Sequence, residues 1–205
     1  FPITKYILDN SNCGLNLKRK VLFLGVDTDN FVPILKDKLI NIVFVGSLVN
    51  GKGTHEFIQL ANIFNKLKFH IIGDGPLRKD LENISSRNIV FHGLLPNDQL
   101  KHVLSNMDLH ILLSRNEGFP KVILETAASG IPSILYSGYG AEEWISHRDN
   151  GFVVNNFNDV VAIIKEIEND TILLSEISKK TVNFSKLFDW KIVINEWEEI
   201  IYNLK

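Results

Sequence analysis

The stretch Ser114-Arg-Asn-Glu-Gly-Phe-Pro-Lys-Val-Ile-Leu-Glu-Thr-Ala-Ala-Ser-Gly-Ile-Pro132 decides how this chain reads. It follows the apolar run Leu109 to Leu113, which has the composition of a buried strand. Pro120 places a helix start near Phe119 or Pro120, because its fixed φ suits a first helical turn and its missing N–H would be an orphan there. The free N–H groups of Gly118 to Val122 then form an anion site just past the strand end. Two carboxylates, Glu117 and Glu125, are separated by seven residues. Glu117 sits just before the helix start, and Glu125 about five residues inside it, about 7.5 Å along the axis from that start. Helical side chains lean toward the N-terminus, so Glu125 can reach back to a neutral polar group near the anion. A diphosphate carrying a sugar on one side and a ribose on the other fits this arrangement.

Working outward, further apolar runs at Val21 to Val26, Ile42 to Val45, Phe69 to Ile72, Ile89 to Phe91 and Ser133 to Tyr136 each end in a turn residue and read as strands. Helical spacing lies between them. Phe57, Leu60, Ala61, Phe64 and Leu67 form one apolar stripe, and Leu100, Val103 and Leu104 a shorter one. Strands alternating with helices predict an α/β fold, a doubly wound parallel sheet with ligands outside the carboxyl ends of the strands. Near the end, Ile194, Trp197, Ile201 and Leu204 predict a terminal helix docked by an aromatic face. Residues 1–20 are irregular and read as a linker or the remnant of a preceding domain, leaving 21–205 as the Rossmann-like domain. A chain that opens at Phe1 is expected to be a piece of something longer.

Hydrophobic residues make up 45% of the 205, charged residues 22%, and the formal net charge is −2. Such a chain carries enough apolar material for a core and no basic footprint for nucleic acid. Cys13 is the only cysteine, so no intrachain disulfide can form, and a reducing compartment fits. No apolar run approaches the roughly 20 residues that cross a bilayer. The cytoplasm is the expected location, with peripheral attachment to the inner membrane face in a longer protein. The six histidines show no metal-ligand spacing. Neither a metal nor a cofactor is expected, and His92, His102 and His110 read as structural.

The spacing of Glu117 and Glu125 resembles the E-x7-E element of the retaining GT-B glycosyltransferases, in particular the large family that includes bacterial lipopolysaccharide and mannosyl transferases and sucrose-type synthases. The resemblance also takes in Leu24-Gly-Val-Asp-Thr-Asp-Asn-Phe31, Val45-Gly-Ser-Leu-Val-Asn-Gly-Lys-Gly53, Gly73-Asp-Gly-Pro76, Val90-Phe-His-Gly93 and Asn150-Gly-Phe-Val-Val154, all in the family's order. It implies the C-terminal half of a GT-B architecture. Its activity would be metal-independent sugar transfer from a nucleoside diphosphate sugar to a glycan or glycolipid acceptor held by a missing N-terminal domain, in surface polysaccharide or glycolipid synthesis. Alone, the chain would bind donor weakly and turn nothing over.

By the same resemblance Lys52 neutralises the departing diphosphate, Glu117 orients the transferred sugar, and Glu125 holds the ribose. The backbone of Gly118, Phe119, Pro120, Lys121 and Val122 completes the cradle, with Gly46 and Ser47 in the turn before Lys52. Leu95 and Asn97 stand in the turn that meets the base. Each has a plainer alternative: Lys52 as a solvated loop lysine, Glu117 as a carboxylate at a helix N-terminus, Glu125 as a charge on a solvated helix face. An arginine common in the Gly46 to Gly53 turn is missing here. Either donor binding is weaker or another cation serves, and Arg115 is the nearest candidate. Gly138-Tyr-Gly-Ala-Glu-Glu143 resembles a turn facing the interdomain cleft.

Rival readings are a sugar-nucleotide epimerase of the same fold and a non-catalytic nucleotide-binding module. Gly46-x-x-x-x-Gly51-Lys52 misses a Walker A loop because Gly53 stands where Ser or Thr would hold magnesium. Gly73-Asp-Gly-Pro76 misses the dinucleotide fingerprint, since Arg78 replaces the third glycine.

Overall fold

The computed structural model describes residues 23–202. Residues 1–20, expected to be a linker or domain remnant, lie outside that range. Six strands form one sheet: β1 (Asn41–Val45), β2 (Lys68–Ile72), β3 (Ile89–Gly93), β4 (Leu109–Leu112), β5 (Ser133–Tyr136) and β6 (Gly151–Val154). All pairings are parallel, in the order β3-β2-β1-β4-β5-β6. This is the doubly wound Rossmann order, whose direction of winding reverses between β1 and β4. The expected fold is therefore present, and its ligand crevice falls at the carboxyl ends of β1 and β4.

Alternation along β1 explains how both faces are covered. Ile42 and Phe44 point into the larger core, where Phe44 and Phe69 pack on Phe57 of helix α1 (Thr54–Ile63) with ring centroids 5.9 and 5.2 Å away. Val43 points to the opposite face and joins Ile72, Leu104 and Met107. Leu104 belongs to α3 (Asn97–Ser105), while α2 (Arg78–Ile84) links β2 to β3. The predicted stripe Phe57, Leu60, Ala61, Phe64 and Leu67 is buried throughout. Each of its large side chains contributes about 1.5–3 kcal/mol to folding through area removed from water.

Three expectations need correction. Val21 to Val26 is not a strand over its described part: Val26 makes only an isolated bridge to Asp189, its N–H donating to Phe188 O at 2.9 Å and its C=O accepting from Trp190 N at 3.0 Å. Apolar character there serves contact with the C-terminal segment, where Phe23 packs edge-on against Phe188. Conversely, β6 and the helices α5 (Phe157–Asn169) and α6 (Thr171–Lys186) were missed. Their signals were the caps, since Asn156 and Asp170 each accept two first-turn N–H groups. Finally, the last helix, α7 (Trp190–Tyr202), buries Val193 and Ile200 with Trp197 half-buried between them, while Ile194 and Ile201 are exposed. Both stripes have helical spacing, and contact of Trp197 with Phe23 O and the Trp190 ring selects the one that docks. Leu204 lies outside the described residues.

Candidate donor site at the sheet switch

The turn after β1, residues 46–53, is built on close backbone approach. Gly46 N donates to Ile72 O at 2.9 Å, Leu48 N to Asp74 O at 3.0 Å, and Gly73 N to Gly93 O at 2.8 Å. The turns after β1, β2 and β3 therefore form one shelf. Gly73 is required in it: its φ is +138°, and a Cβ there would overlap Gly46 O. Gly53 precedes α1 at φ +75°, where a Cβ would come 2.5 Å from Leu113 O. That contact brings the β1 turn against the end of β4.

The turn after β4 carries the paired carboxylates into helix α4 (Val122–Ala128). This helix starts two residues later than Pro120, with Lys121 as N-cap and Ile123 N donating to Pro120 O at 3.0 Å. The tight turn at Pro120 uses its fixed φ before the regular helix begins. Phe119 is only 5% exposed, its ring 5.0 Å from Trp144 and 5.9 Å from Phe188, so it anchors the turn and offers the crevice backbone alone. Among the described residues, no acceptor is found for the N–H groups of Gly118, Phe119, Lys121 and Val122.

Across the switch, Lys52 Nζ lies 2.5 Å from Glu117 Oε1. Their side chains are 29% and 11% exposed, so the pair is better shielded than ordinary surface ion pairs. Lys52 keeps two further N–H donors for an anion. Glu125 is 16% exposed and takes Lys121 Nζ at 3.3 Å, one helical turn away, giving it the polar partner that a half-buried carboxylate needs.

Gly46 and Ser47 close β1, with Ser47 exposed. Leu95 is half-buried and Asn97 exposed at the start of α3, after β3. Two strand spacings put that turn about 10 Å from β1, so these residues flank the Lys52–Glu117 pair rather than touch it.

The sequence missed a further cluster. Glu56 Oε1 accepts from Tyr136 Oη at 2.8 Å and from Arg115 Nη2 at 2.9 Å, and the Arg115 guanidinium sits 4.1 Å from the Tyr136 ring centroid. Burial, and then the hydrogen bond to Glu56, push the Tyr136 phenol up, which keeps it a donor. Arg115 is thus engaged by Glu56, not by Glu117. Nearby, Tyr139 is buried, and burial followed by the charges of Glu117 and Glu142 pushes its phenol up as well. Tyr139 Oη and Trp144 Nε1 have no partner among the described residues.

No three His, Cys, Asp or Glu side chains converge among the described residues. His110 is fully buried against Ser133 Oγ at 2.9 Å, and His92 stacks on His70 with Nδ1 and Nε2 3.0 Å apart. A cavity of about 600 Å³ lies elsewhere, between the β5–β6 connection and α6, lined by Trp144, Asn150, Lys180 and Phe184. No described helix is long and apolar enough to cross a membrane.

A six-stranded doubly wound sheet, with an ammonium and a carboxylate meeting at its switch, defines a Rossmann-like domain. The family model for glycosyl transferases group 1 matches residues 26–184, and this chain belongs to that family. Its fold is that of the C-terminal half of a GT-B glycosyltransferase. It is 28% identical over 196 residues to an uncharacterized glycosyltransferase of Methanocaldococcus jannaschii, covering 92% of this chain and 55% of the relative. It is also 28% identical over 174 residues to a Campylobacter jejuni α-1,4-N-acetyl-D-galactosaminyltransferase that acts on a diphosphoundecaprenol-linked glycan, covering 80% and 48%. The Anabaena HepE structure with UDP and glucose superposes with a TM-score of 0.81 at 21% identity, covering 90% and 57%. The chain spans about half the length of these relatives.

Proposed function

We propose that this chain is the donor-binding half of a retaining, metal-independent glycosyltransferase, and that the complete protein moves a sugar from a nucleoside diphosphate donor to a glycan or glycolipid. The observation that carries this reading is the Lys52–Glu117 ion pair across the switch crevice. It sets a cation where diphosphate charge grows as the sugar leaves, and charge stabilisation of that kind often dominates catalysis. Lys52 and the N–H groups of Gly118 to Val122 steady the diphosphate. Glu117 faces the sugar hydroxyls, and Glu125 turns from Lys121 to the ribose. Gly46 and Ser47 line the crevice floor, and Leu95 and Asn97 border the base. The acceptor sits on the N-terminal half. Family membership and the UDP bound in the Anabaena structure support the donor class. The lipid-linked acceptor in the Campylobacter relative's name supports the acceptor class.

Thermal unfolding of the protein with UDP, GDP, ADP and their common sugars tests the reading. One nucleoside diphosphate at a hundredfold excess over Kd should add about 2.7 kcal/mol of stability. Lys52→Ala should abolish that gain and lower transfer by the full-length enzyme about 100-fold or more. Equal unfolding temperatures with every nucleotide, or full transfer by Lys52→Ala, would refute it.

A further inference from the structure

Arg115 stands two residues before Glu117 and makes three contacts: one on the turn carrying Lys52, one on the helix that follows that turn, and one on β5. Its backbone N–H donates to Gly51 O at 3.1 Å, immediately before Lys52. Its Nη2 donates to Glu56 Oε1 at 2.9 Å, in the first turn of α1 and four residues after Lys52. Its guanidinium rests 4.1 Å from the Tyr136 ring centroid, and Tyr136, only 1% exposed, donates its hydroxyl to the same carboxylate oxygen at 2.8 Å. Beyond the backbone bonds that fix Gly46 and Leu48, the tip of the Lys52 turn holds Gly51 at φ +87° with open space where a side chain would be, and Lys52 N donates to Val49 O at 3.4 Å. The guanidinium makes no ion pair with Glu117, and Glu117 is taken by Lys52.

We propose that Arg115 is a positioning residue: with Glu56 and Tyr136 it clamps the turn of Glu117 to the turn of Lys52, holding that ion pair in place for a nucleoside diphosphate. The consequence for nucleotide binding rests on the donor-site reading above; the clamp itself does not. Arg115 therefore acts through Lys52 and is not a second phosphate ligand in place of the missing turn arginine.

The test uses the full-length protein with Arg115→Ala, Arg115→Lys and Glu56→Gln. Acylation of Lys52 by an amine-labelling reagent, quantified by peptide mass spectrometry, reads the ion pair without any ligand. Arg115→Ala and Glu56→Gln should speed labelling toward the rate in Glu117→Gln, and Arg115→Lys should restore part of the protection. Titration with UDP, GDP and ADP then reads the consequence. Both variants should weaken the best-bound nucleotide roughly tenfold, as expected within one ion-pair network, and Arg115→Ala should add nothing in a Lys52→Ala background. A guanidinium that gripped phosphate itself would behave oppositely, binding tighter once released by Glu56→Gln and adding its loss to that of Lys52. Either result, or unchanged Lys52 labelling in both variants, overturns the proposal. If the wild-type protein binds none of the three nucleotides, the donor reading fails and labelling alone decides the clamp.

Discussion

The turns at the two sides of the crevice are held by different forces. On the β1–β2–β3 side, the turns lock together by backbone hydrogen bonds at glycines, such as Gly46 N to Ile72 O and Gly73 N to Gly93 O. On the β4–β5 side, one backbone bond, Arg115 N to Gly51 O, is joined by side-chain contacts that do most of the holding: Phe119 on Trp144, Arg115 on Glu56 and Tyr136, Lys52 on Glu117. Backbone bonds between glycines leave no room for adjustment and give a fixed shelf. Side-chain contacts can loosen one at a time, so the wall carrying both motif carboxylates is the part that can yield to a ligand.

Paired substitutions should break this contrast most severely. Phe119→Ala empties a buried aromatic site and should cost about 3–5 kcal/mol in urea unfolding. Its native-state hydrogen exchange should rise mainly around Trp144 and α4. Gly73→Ala forces a Cβ onto Gly46 O and should cost a comparable several kcal/mol, but with exchange rising across the turns after β1, β2 and β3. Identical exchange patterns in the two variants would erase the distinction between shelf and wall.

Acid should act next most strongly. Burial holds His110 of β4 down to about 3 and, with the charges of His92 and Lys68, His70 of β2 down to about 4, against an ordinary 6.5. The unfolded chain then binds more protons than the folded one below about pH 6.5, so stability is full above that pH and falls as pH drops toward each folded value. For a fully buried histidine, going from pH 6.5 to 5 should cost about 2 kcal/mol, and less for the half-buried His70. His110→Gln should flatten the pH dependence of urea midpoints over this range more than His70→Gln does. An equal or reversed ranking would show that acid does not single out the wall.

Smallest of all should be Lys121→Ala, which breaks the one-turn pair with Glu125 while leaving the Lys52–Glu117 pair intact. A one-turn helical pair whose lysine is exposed is worth about 0.3–0.5 kcal/mol, so the thermal midpoint should move by only about 1–2 °C. A much larger drop would mean that Glu125 is tied to Lys121 structurally and is not free to turn toward a ribose.

Much of the fold was legible because its signals are local. Ile42 to Val45, Phe69 to Ile72 and Leu109 to Leu113 read as buried strands from their apolar composition alone, and the stripe from Phe57 to Leu67 from its spacing. The strand at Gly151–Val154 escaped although it is no shorter than Ser133–Tyr136, because it opens on a glycine, a residue depleted in strands. The segment before Val26 misled because apolar residues destined for a sheet and those destined for a neighbouring aromatic cluster look alike in one dimension. At the site, Glu117, Glu125 and Lys52 were marked by spacing and turn glycines, and Arg115 by charge, but their pairings were not, and Glu56 and Tyr136 carried no mark at all.

What the amino-acid order settled by itself is where five of the six strands run and that two carboxylates flank one helix start, because backbone sterics and apolar periodicity act over a few neighbouring residues. Only the tertiary structure decided that Lys52 meets Glu117, 65 positions away, and that Arg115 reaches Glu56 and Tyr136 instead of the crevice. Those meetings depend on β1 pairing with β4, and that pairing is chosen by how the whole sheet buries its two faces.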